Sequence, residues 1–291
     1  MASHEENTAS SPRQDASGVP PWPAQRYEAE RDVAVRAARR AAHLIRMHAG
    51  QVGDVREKGT HDLVTHVDEE AQRLIIDTLR SAFPGYDVLA EEGTGGRIDP
   101  VAGGHRWIID PIDGTTNFTH GVPPYAVSIA LQRGDTLVLG VVLDVARDEL
   151  FTAIRGGGAF ANGVRVRVSR TAALAEGLLA TGFPYRRFEH LDAYLGVLRQ
   201  FLLKTRGVRR HGVASIDLAY VACGRFDGFF ETGLQPWDVA AGTVLVIEAG
   251  GQVTDFGGDG NPVFDRQIVA SNGLLHGALC EVLAPLREIR L

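Results

Sequence analysis

Two carboxylates spaced three residues apart follow a run of bulky apolar residues in the segment WIIDPIDGTTNF, residues 107–118. Trp107 to Ile109 favour burial, whereas Asp110 and Asp113 are costly to bury unless something compensates their charge. A hard cation such as Mg²⁺ takes carboxylate, carbonyl and water oxygens as ligands. Two such ions sharing carboxylates would activate a water molecule and stabilise a leaving oxygen. The segment therefore predicts a metal site for phosphate chemistry.

Three further acids lie at the edges of predicted elements. Glu91 follows the predicted strand 86–90, Asp238 opens a predicted helix, and Asp68 opens another that runs to about residue 82. Acids at the ends of neighbouring strands and helices can converge on one point, whereas acids inside a helix would scatter. We therefore group these three with Asp110 and Asp113 as candidate ligands or catalytic groups.

Each of these acids also has a simpler interpretation. Asp238 could only cap its helix, because Asp is strongly preferred at N-caps. Asp68 stands three residues after Thr65, which is typical of a capping box. Glu91 could lie in a solvated loop, and D-P-x-D-G-T could be only a turn. The apolar residues beside these acids favour burial, and hence function, but the residues alone leave both interpretations open.

Residues 111–116 are expected to turn the chain toward the ions. Pro111 is expected to end the strand 106–110, because proline cannot donate to the strand ladder. The Ile112 carbonyl could then point at the same ion. Gly114 would allow close approach by a substrate, and the Thr115 hydroxyl could orient a water molecule.

The remaining pattern predicts a mixed α/β protein in two halves. Residues 1–25 are predicted to be a disordered tail, because they are rich in Ser, Ala and Pro and poor in large apolar residues. A helix is predicted from about residue 26 to Gly50. The N-terminal half, 26–175, continues with a helix and a strand meander, and the C-terminal half, 176–291, alternates strands and helices. The predicted meander strands are 126–132, 136–144 and 149–154, and those of the second half include 226–232 and 266–272.

Two other features carry open alternatives. Arg36, Arg39 and Arg40 on the first helix could bind an anionic partner or form a solvated outer face. The glycine run RGGGAFANG, residues 155–163, could hold a phosphate or serve tight turns.

Composition excludes several classes of protein. The 291 residues carry 30 basic and 36 acidic side chains, and this net charge of −6 argues against binding to nucleic acid. Only two cysteines occur, with no CxxC, so we expect neither a disulfide framework nor a thiolate metal site. We see no membrane-spanning run and no signal peptide, so a cytoplasmic protein without a membrane partner is expected.

The ordered set of motifs resembles the inositol monophosphatase family, whose members are Mg²⁺-dependent, lithium-sensitive phosphatases. DPIDGTTNF (110–118) and WDVAAGTVLVIEAGG (237–251) are similar to its two signatures. Further similarity is seen in the segments 58–68, 90–93, 180–186, 217–238 and 268–272. The resemblance implies a layered α/β/α/β/α sandwich of the inositol monophosphatase and fructose-1,6-bisphosphatase type, a homodimer, and metals held between the two halves.

The resemblance also implies a set of metal ligands. Glu91, Asp110 and the Ile112 carbonyl would bind a first Mg²⁺ ion. Asp110, Asp113 and Asp238 would bind a second, and Glu91 would contribute to a third. None of these positions departs from the family's motifs.

The resemblance implies catalytic roles for Asp68, Thr115 and Glu91. Thr115 and Asp68 would position and deprotonate the attacking water, and the backbone amides of Gly114 and Thr115 would receive the phosphate at a helix N-terminus. The substrate-binding residues that it implies are Asp113, Gly114, Thr115, Ala214 and Glu231.

Three functions are weighed on this basis. The first is hydrolysis of inositol 1-phosphate or a similar polyol phosphate. The second, on the same fold, is a fructose-1,6-bisphosphatase, a nucleotide 3′-phosphatase or a histidinol-phosphatase, with Arg186, Arg187 and Arg210 as candidates for binding a second phosphate. The third, of another class, is a regulatory protein that docks on a larger assembly.

Overall fold

The structure is a computed structural model that describes residues 24–50, 55–59, 62–93, 104–184 and 188–288. Of the predicted disordered tail, residues 1–23 lie outside this range, and a 3₁₀ turn over Ala24–Tyr27 precedes the first helix. The α-helices of the described residues are α1 (Glu28–His48), α2 (His66–Ala82), α3 (Thr115–Thr119), α4 (Leu191–Lys204), α5 (Ala214–Ala222), α6 (Pro236–Glu248) and α7 (His276–Leu283).

The strands form a hairpin and two larger sheets. They are β1 (Val55–Gly59), β2 (Asp62–Thr65), β3 (Asp87–Ala90), β4 (His105–Asp113), β5 (Ala126–Arg133), β6 (Thr136–Asp144), β7 (Glu149–Ile154), β8 (Gly158–Ala161), β9 (Val164–Val166), β10 (Leu178–Thr181), β11 (Gly207–Arg209), β12 (Gly228–Thr232), β13 (Gln252–Thr254) and β14 (Gln267–Ser271). β1 and β2 form the hairpin, and β3 to β9 form a seven-stranded sheet in chain order. The five-stranded sheet has the order β11-β10-β12-β14-β13.

These elements stack in five layers. α1 and α2 cover one face of the seven-stranded sheet, and α5 and α6 fill the space between the two sheets. α4 and α7 cover the outer face of the five-stranded sheet. The predicted α/β/α/β/α sandwich is therefore confirmed. The division into two halves at residue 175 stays a prediction. Helix α6, which belongs to the second half, shares one apolar core with strands of the seven-stranded sheet.

Pro111 does not end its strand, so that expectation was wrong. β4 continues to Asp113, and its register on β5 shifts between the pair Asp110–Ser128 and the pair Asp113–Ala126. Three steps on β4 thus match two on β5, which is the geometry of a β-bulge. Because a bulge leaves a residue out of the ladder, a proline is tolerated there. Both acids consequently stand on one strand.

Three short elements were missed by the sequence patterns. They are the β1–β2 hairpin, β11 and β13, which have three to five residues each. Segments of this length carry too few residues to show a period of two. Strand pairing, rather than their own pattern, establishes them: β1 pairs with β2, β11 with β10, and β13 with β14.

The glycine run 155–163 does bind an anionic group, but the group belongs to the protein. The backbone N–H groups of Gly156 and Gly158 donate to the two carboxylate oxygens of Glu248 at 2.9 and 2.8 Å. Glu248 lies at the end of α6, so the run anchors that helix to the seven-stranded sheet. The turn interpretation of the run is therefore confirmed in the main, with β8 beginning at Gly158.

The close packing of α6 on the first sheet gives a prediction about stability. A Cβ atom at Gly140 on β6 would overlap the Ala241 carbonyl oxygen of α6. Overpacking of this kind usually costs about 1–3 kcal/mol. We expect Gly140→Ala to lower the free energy of unfolding by that amount in urea titrations.

Gly196→Ala is the matched control for that variant. It lies inside α4, and nothing stands within 4 Å of the added methyl group. Alanine is favoured over glycine within a helix by about 0.5–1 kcal/mol, so this variant should gain stability. Equal stability of Gly140→Ala and the wild type would contradict the packing described.

Candidate active site

A cavity of about 820 Å³ lies where β4, α3, α6 and the segment before α5 meet. Among the described residues that line it, six are carboxylates and two are arginines. The carboxylates are Glu57, Glu91, Asp110, Asp113, Glu231 and Asp238, and the arginines are Arg210 and Arg266. The excess of acids favours a cation in this cavity. The structure thus brings together the four acids that were predicted as metal ligands.

Asp110 and Asp113 stand on the buried floor of the cavity, with exposed fractions of 2% and 8%. Burial raises the pKa of Asp110 well above its usual range, and the charges of Glu91, Asp113 and Asp238 raise it further. Burial and the charge of Asp238 raise the pKa of Asp113 to about 8, although hydrogen bonds from Ser215 oppose this. A cation bound among carboxylates that repel one another in this way would stabilise their charged forms.

Asp68 and Asp238 make the same kind of contact with the N-terminus of their helices. Both occupy the third helical position of a capping box, in which one carboxylate oxygen accepts the N-cap backbone N–H. For Asp68 the donor is Thr65 N at 2.9 Å, and for Asp238 it is Gln235 N at 2.7 Å. The cap engages Oδ2 in each case. The capping-box prediction for Asp68 is therefore correct, whereas Asp238 caps its helix from the third position and is not the N-cap that was expected. In both cases the cap holds the carboxylate in a defined orientation beside the cavity.

The Thr115 hydroxyl joins Asp68 to the floor of the cavity. It lies within hydrogen-bonding distance of two acceptors, Asp68 Oδ1 at 3.1 Å and the Ile112 carbonyl at 3.1 Å. Asp68 is completely buried, whereas Thr115 lines the cavity. A buried carboxylate behind a hydroxyl can receive a proton that the hydroxyl passes on. The predicted pairing of Asp68 with Thr115 is thus present in the structure.

Gly114 is required for a reason that the sequence did not reveal. Its φ of 93° lies in the left-handed region, and a Cβ atom there would stand 2.7 Å from Val213 Cγ2. The close approach at this glycine is therefore made by the segment before α5, in addition to any substrate. Helix α3 after it has only five residues, so its free N–H groups, rather than a long helix dipole, would attract an anion.

Four of the five predicted substrate-binding residues line the cavity, and one does not. Asp113, Gly114, Thr115 and Glu231 line the cavity, whereas Ala214 is 4% exposed and lies behind its wall. Burial raises the pKa of Glu231 well above its usual value, and the charges of Asp217 and Asp238 raise it further.

The donor set fits a hard divalent cation. It offers oxygen atoms only, and its carboxylates share a cavity in which they raise one another's pKa. In the described ranges, no group of three His, Cys, Asp or Glu side chains is already closed around one ion position. Glu91 and Asp110 instead share a hydrogen bond, which an ion would replace by neutralising both. Ion binding is therefore expected to reorient these side chains.

Two groups in the site escaped the sequence patterns. Ser215 N donates to Asp113 Oδ2 at 2.7 Å, and Asn117 Nδ2 donates to the His211 carbonyl at 2.8 Å. The first is a backbone donor, for which residue type carries no signal. Asn117 stands in the motif 110–118, and its half-buried amide donates to the carbonyls of both Pro124 and His211.

Comparison with known proteins decides the family. The chain matches the Inositol monophosphatase family over residues 27–288, which is most of its length. The chain belongs to the inositol monophosphatase family. Relatives include Nus factor SuhB of Pseudomonas aeruginosa, 47% identical over 87% of this chain and 95% of that protein. The inositol-1-monophosphatase of Rhizobium meliloti is 45% identical, also over 87% of this chain and 95% of its own length.

Solved structures of the inositol monophosphatase family share the fold. The extragenic suppressor protein suhB from Bartonella henselae superposes with a TM-score of 0.82 at 42% identity, covering 88% of this chain and 98% of that one. A Thermotoga maritima IMPase superposes with a TM-score of 0.80 at 39% identity, covering 88% and 97%. The protein therefore has the phosphatase-type fold of a family that is generally metal-dependent. None of the described helices of this family member is both long and apolar enough to cross a bilayer.

Proposed function

We propose that the protein is a Mg²⁺-dependent phosphomonoesterase that hydrolyses inositol 1-phosphate, or a similar polyol phosphate, to the polyol and phosphate. The observation that carries this proposal is the meeting of mutually repelling buried carboxylates with the Thr115–Asp68 pair in one cavity. Such carboxylates need a cation, and such a pair needs a water molecule to act on.

The proposed ion ligands come from three elements. Glu91, Asp110 and the Ile112 carbonyl would hold one Mg²⁺ ion, and Asp110, Asp113 and Asp238 a second, with Glu91 also contributing to a third. When bound, Mg²⁺ supplies the positive charge that activates water and stabilises the developing charge on the leaving oxygen. The capping box orients the Asp238 side chain, because its Oδ2 accepts a hydrogen bond from Gln235 N.

The chain's own groups would handle the proton. Thr115 Oγ1 would accept a hydrogen bond from the attacking water while its own proton points at Asp68 Oδ1, 3.1 Å away. Asp68 would take the proton that this hydrogen-bond chain passes on, which is general-base catalysis. The backbone N–H groups of Gly114 and Thr115 would bind the phosphate oxygens. Asp113 and Glu231 would hold the polyol hydroxyls, whereas Ala214, which the resemblance also implies, lies behind the wall of the cavity and could act only through its neighbours.

A phosphate-release assay tests the proposal. We expect turnover of inositol 1-phosphate with Mg²⁺, no turnover after chelation with EDTA, and inhibition by Li⁺. The panel should add fructose 1,6-bisphosphate, adenosine 3′,5′-bisphosphate and histidinol phosphate. Turnover confined to one of these would replace the polyol phosphate as substrate, and no Mg²⁺-dependent release from any ester would overturn the proposal.

The bisphosphate alternatives rest on arginines. Arg210 lines the cavity and stands 5.6 Å from the centre of the Phe183 ring, so it could meet a second phosphate. Arg186 and Arg187 lie outside the described residues. The cavity's excess of acids favours the monoester.

The proposal also covers the oligomeric state, the cellular compartment and the partners of the enzyme. We propose a homodimer in the cytoplasm with a small phosphorylated polyol as its ligand, and with neither nucleic acid nor membrane as a partner. Both cysteines, Cys223 and Cys280, are unpaired, which agrees with a reducing compartment. Sedimentation at several concentrations measures the oligomeric state.

A second candidate function is regulatory docking on a larger assembly. The observation that favours it is the name Nus factor SuhB, borne by relatives 44% and 47% identical to this chain. The proposed contact surfaces are the basic face of α1 and the N-terminal tail, of which residues 1–23 lie outside the described residues. On α1, Arg39 lies 3.9 Å from Asp148, and Arg40 donates to Thr78 at 2.8 Å. A stoichiometric partner recovered by the wild type, and lost on reversing Arg36, Arg39 and Arg40, would support it.

A further inference from the structure

The segment from Arg210 to Ser215 is docked on the active-site wall at three points. Ser215 N donates to Asp113 at 2.7 Å, and the His211 carbonyl accepts from Asn117 at 2.8 Å. Between them, Val213 closes over Gly114, where no Cβ atom would fit. The position of this segment therefore determines the shape of one side of the cavity.

The side chain of His211 holds this segment from the opposite side. Its Nδ1 lies 2.6 Å from Asp217 Oδ1 on α5, and its ring stacks on Phe226 with centroids 5.4 Å apart. Gly212, with φ of 76°, reverses the chain next to it. Arg210 and Gly212 consequently line the cavity, while the half-buried imidazole of His211 packs on α5 and Phe226 instead.

Asp217 has little else to compensate its charge. It is 1% exposed, and its Oδ2 has no hydrogen-bond partner among the described residues. Burial raises the pKa of Asp217 to about 6, against the hydrogen bond and charge of His211 and the charge of Arg210. A buried carboxylate with one strong partner is costly to separate from that partner. The contact between His211 and Asp217 is therefore a firm anchor.

We propose that His211 is a positioning residue: anchored to Asp217, it holds the segment 210–215 against the cavity and so sets the affinity for substrate. The inference rests on the proposed function, because it assigns the segment a substrate. We expect it to affect substrate binding more than proton transfer. The segment contacts Asp113 and Gly114, which the proposed function assigns to substrate and phosphate, whereas no hydrogen bond described above joins it to the Thr115–Asp68 pair.

Three variants separate positioning from mere stability. His211→Phe keeps a ring beside Phe226 but removes the hydrogen bond and leaves the Asp217 charge unpaired. His211→Asn offers an amide N–H near the position of Nδ1. The double variant His211→Phe with Asp217→Asn removes the buried charge as well, so it should recover the thermal stability that His211→Phe loses.

The expected result is a change in KM that does not run parallel to the change in thermal stability. In phosphate-release kinetics, His211→Phe should raise KM about tenfold, the equivalent of one hydrogen bond to a charged group, with kcat near the wild-type value. His211→Asn should restore KM, whereas the double variant should restore Tm and not KM. His43→Phe, at an exposed position on α1, is the control and should change neither. A KM that returns together with Tm in the double variant would overturn the proposal.

A second measurement needs no substrate. Amide hydrogen exchange in residues 210–215 should be faster in His211→Phe and in the double variant than in the wild type, because the segment opens locally. Unchanged exchange would overturn the positioning role. A wild type that releases no phosphate from any ester would refute the proposed function alone, and the exchange result would still decide the role of His211.

Discussion

The Asp113→Asn variant is expected to release phosphate at least about a thousandfold more slowly than the wild type while remaining folded. A lost ion ligand removes several kcal/mol of stabilisation from the developing charge, and about 1.4 kcal/mol corresponds to a factor of ten in rate. Asparagine keeps the shape of the side chain and still accepts the hydrogen bond from Ser215 N, which lies 2.7 Å from Asp113 Oδ2. The loss of activity should therefore result from the missing negative charge and not from a change in side-chain shape.

In the absence of metal, the same variant should be more stable than the wild type at high pH. Because the pKa of Asp113 is raised to about 8, the folded protein without metal keeps a proton that the unfolded chain has released. Its contribution to stability is therefore lost as pH rises from about 4 to about 8. In EDTA at pH 8, Asp113→Asn should melt at a higher temperature than the wild type, and the difference should shrink toward pH 5.

Added Mg²⁺ should raise the Tm of the wild type and leave that of Asp113→Asn almost unchanged, because an ion that binds only the folded state stabilises it. Asp135→Asn, in an exposed turn between β5 and β6, is the control and should behave as the wild type throughout. Near-wild-type turnover by Asp113→Asn, or an equal gain in Tm with Mg²⁺, would contradict the proposed ligand set.

The Asp68→Asn variant is expected to lower kcat by about a hundredfold to ten-thousandfold, the usual contribution of a general base. The introduced amide would turn its oxygen toward Thr65, whose N–H and hydroxyl both reach Asp68 Oδ2 in the wild type, at 2.9 and 2.5 Å. The amide N–H₂ would then face Thr115 Oγ1. The Thr115 hydroxyl would have to donate to the Ile112 carbonyl instead, and no acceptor would remain for the proton from water.

Thr65→Ala separates this role of Asp68 from helix capping. Loss of the Thr65 side chain removes the cap on α2 and should cost about 1 kcal/mol of unfolding free energy, while the Asp68 carboxylate stays beside Thr115. We therefore expect low kcat with nearly normal Tm in Asp68→Asn, and lowered Tm with much smaller change in kcat in Thr65→Ala. Phosphate-release kinetics and thermal melts measure both. A kcat in Asp68→Asn within a few-fold of the wild type would leave capping as its only role.

Much of the fold follows from local pattern. A helix from about residue 26 to Gly50 was predicted because Ala34, Ala37, Ala41 and Ile45 recur at helical spacing; these four are buried in α1, Glu28–His48. The meander strands were predicted because long apolar runs alternate with Gly-Asp and Arg-Asp turns. The strand of Asp110 and Asp113 was cut short at Pro111, because a bulge depends on the register of the neighbouring strand and leaves no mark in its own sequence.

The sequence by itself determined which acids could act, because residue type and order in the two motifs identify Asp110, Asp113 and Asp238 without coordinates. It could not decide between capping and catalysis for Asp68. Only the tertiary structure shows that Asp68, besides capping α2, also accepts from Thr115, because that contact joins residues 47 positions apart in the chain. Its catalytic role is a proposal. Likewise only the fold places Ser215 N on Asp113 and Val213 over Gly114. Such contacts join segments about a hundred residues apart, and their distance is set by how the layers pack rather than by any local preference.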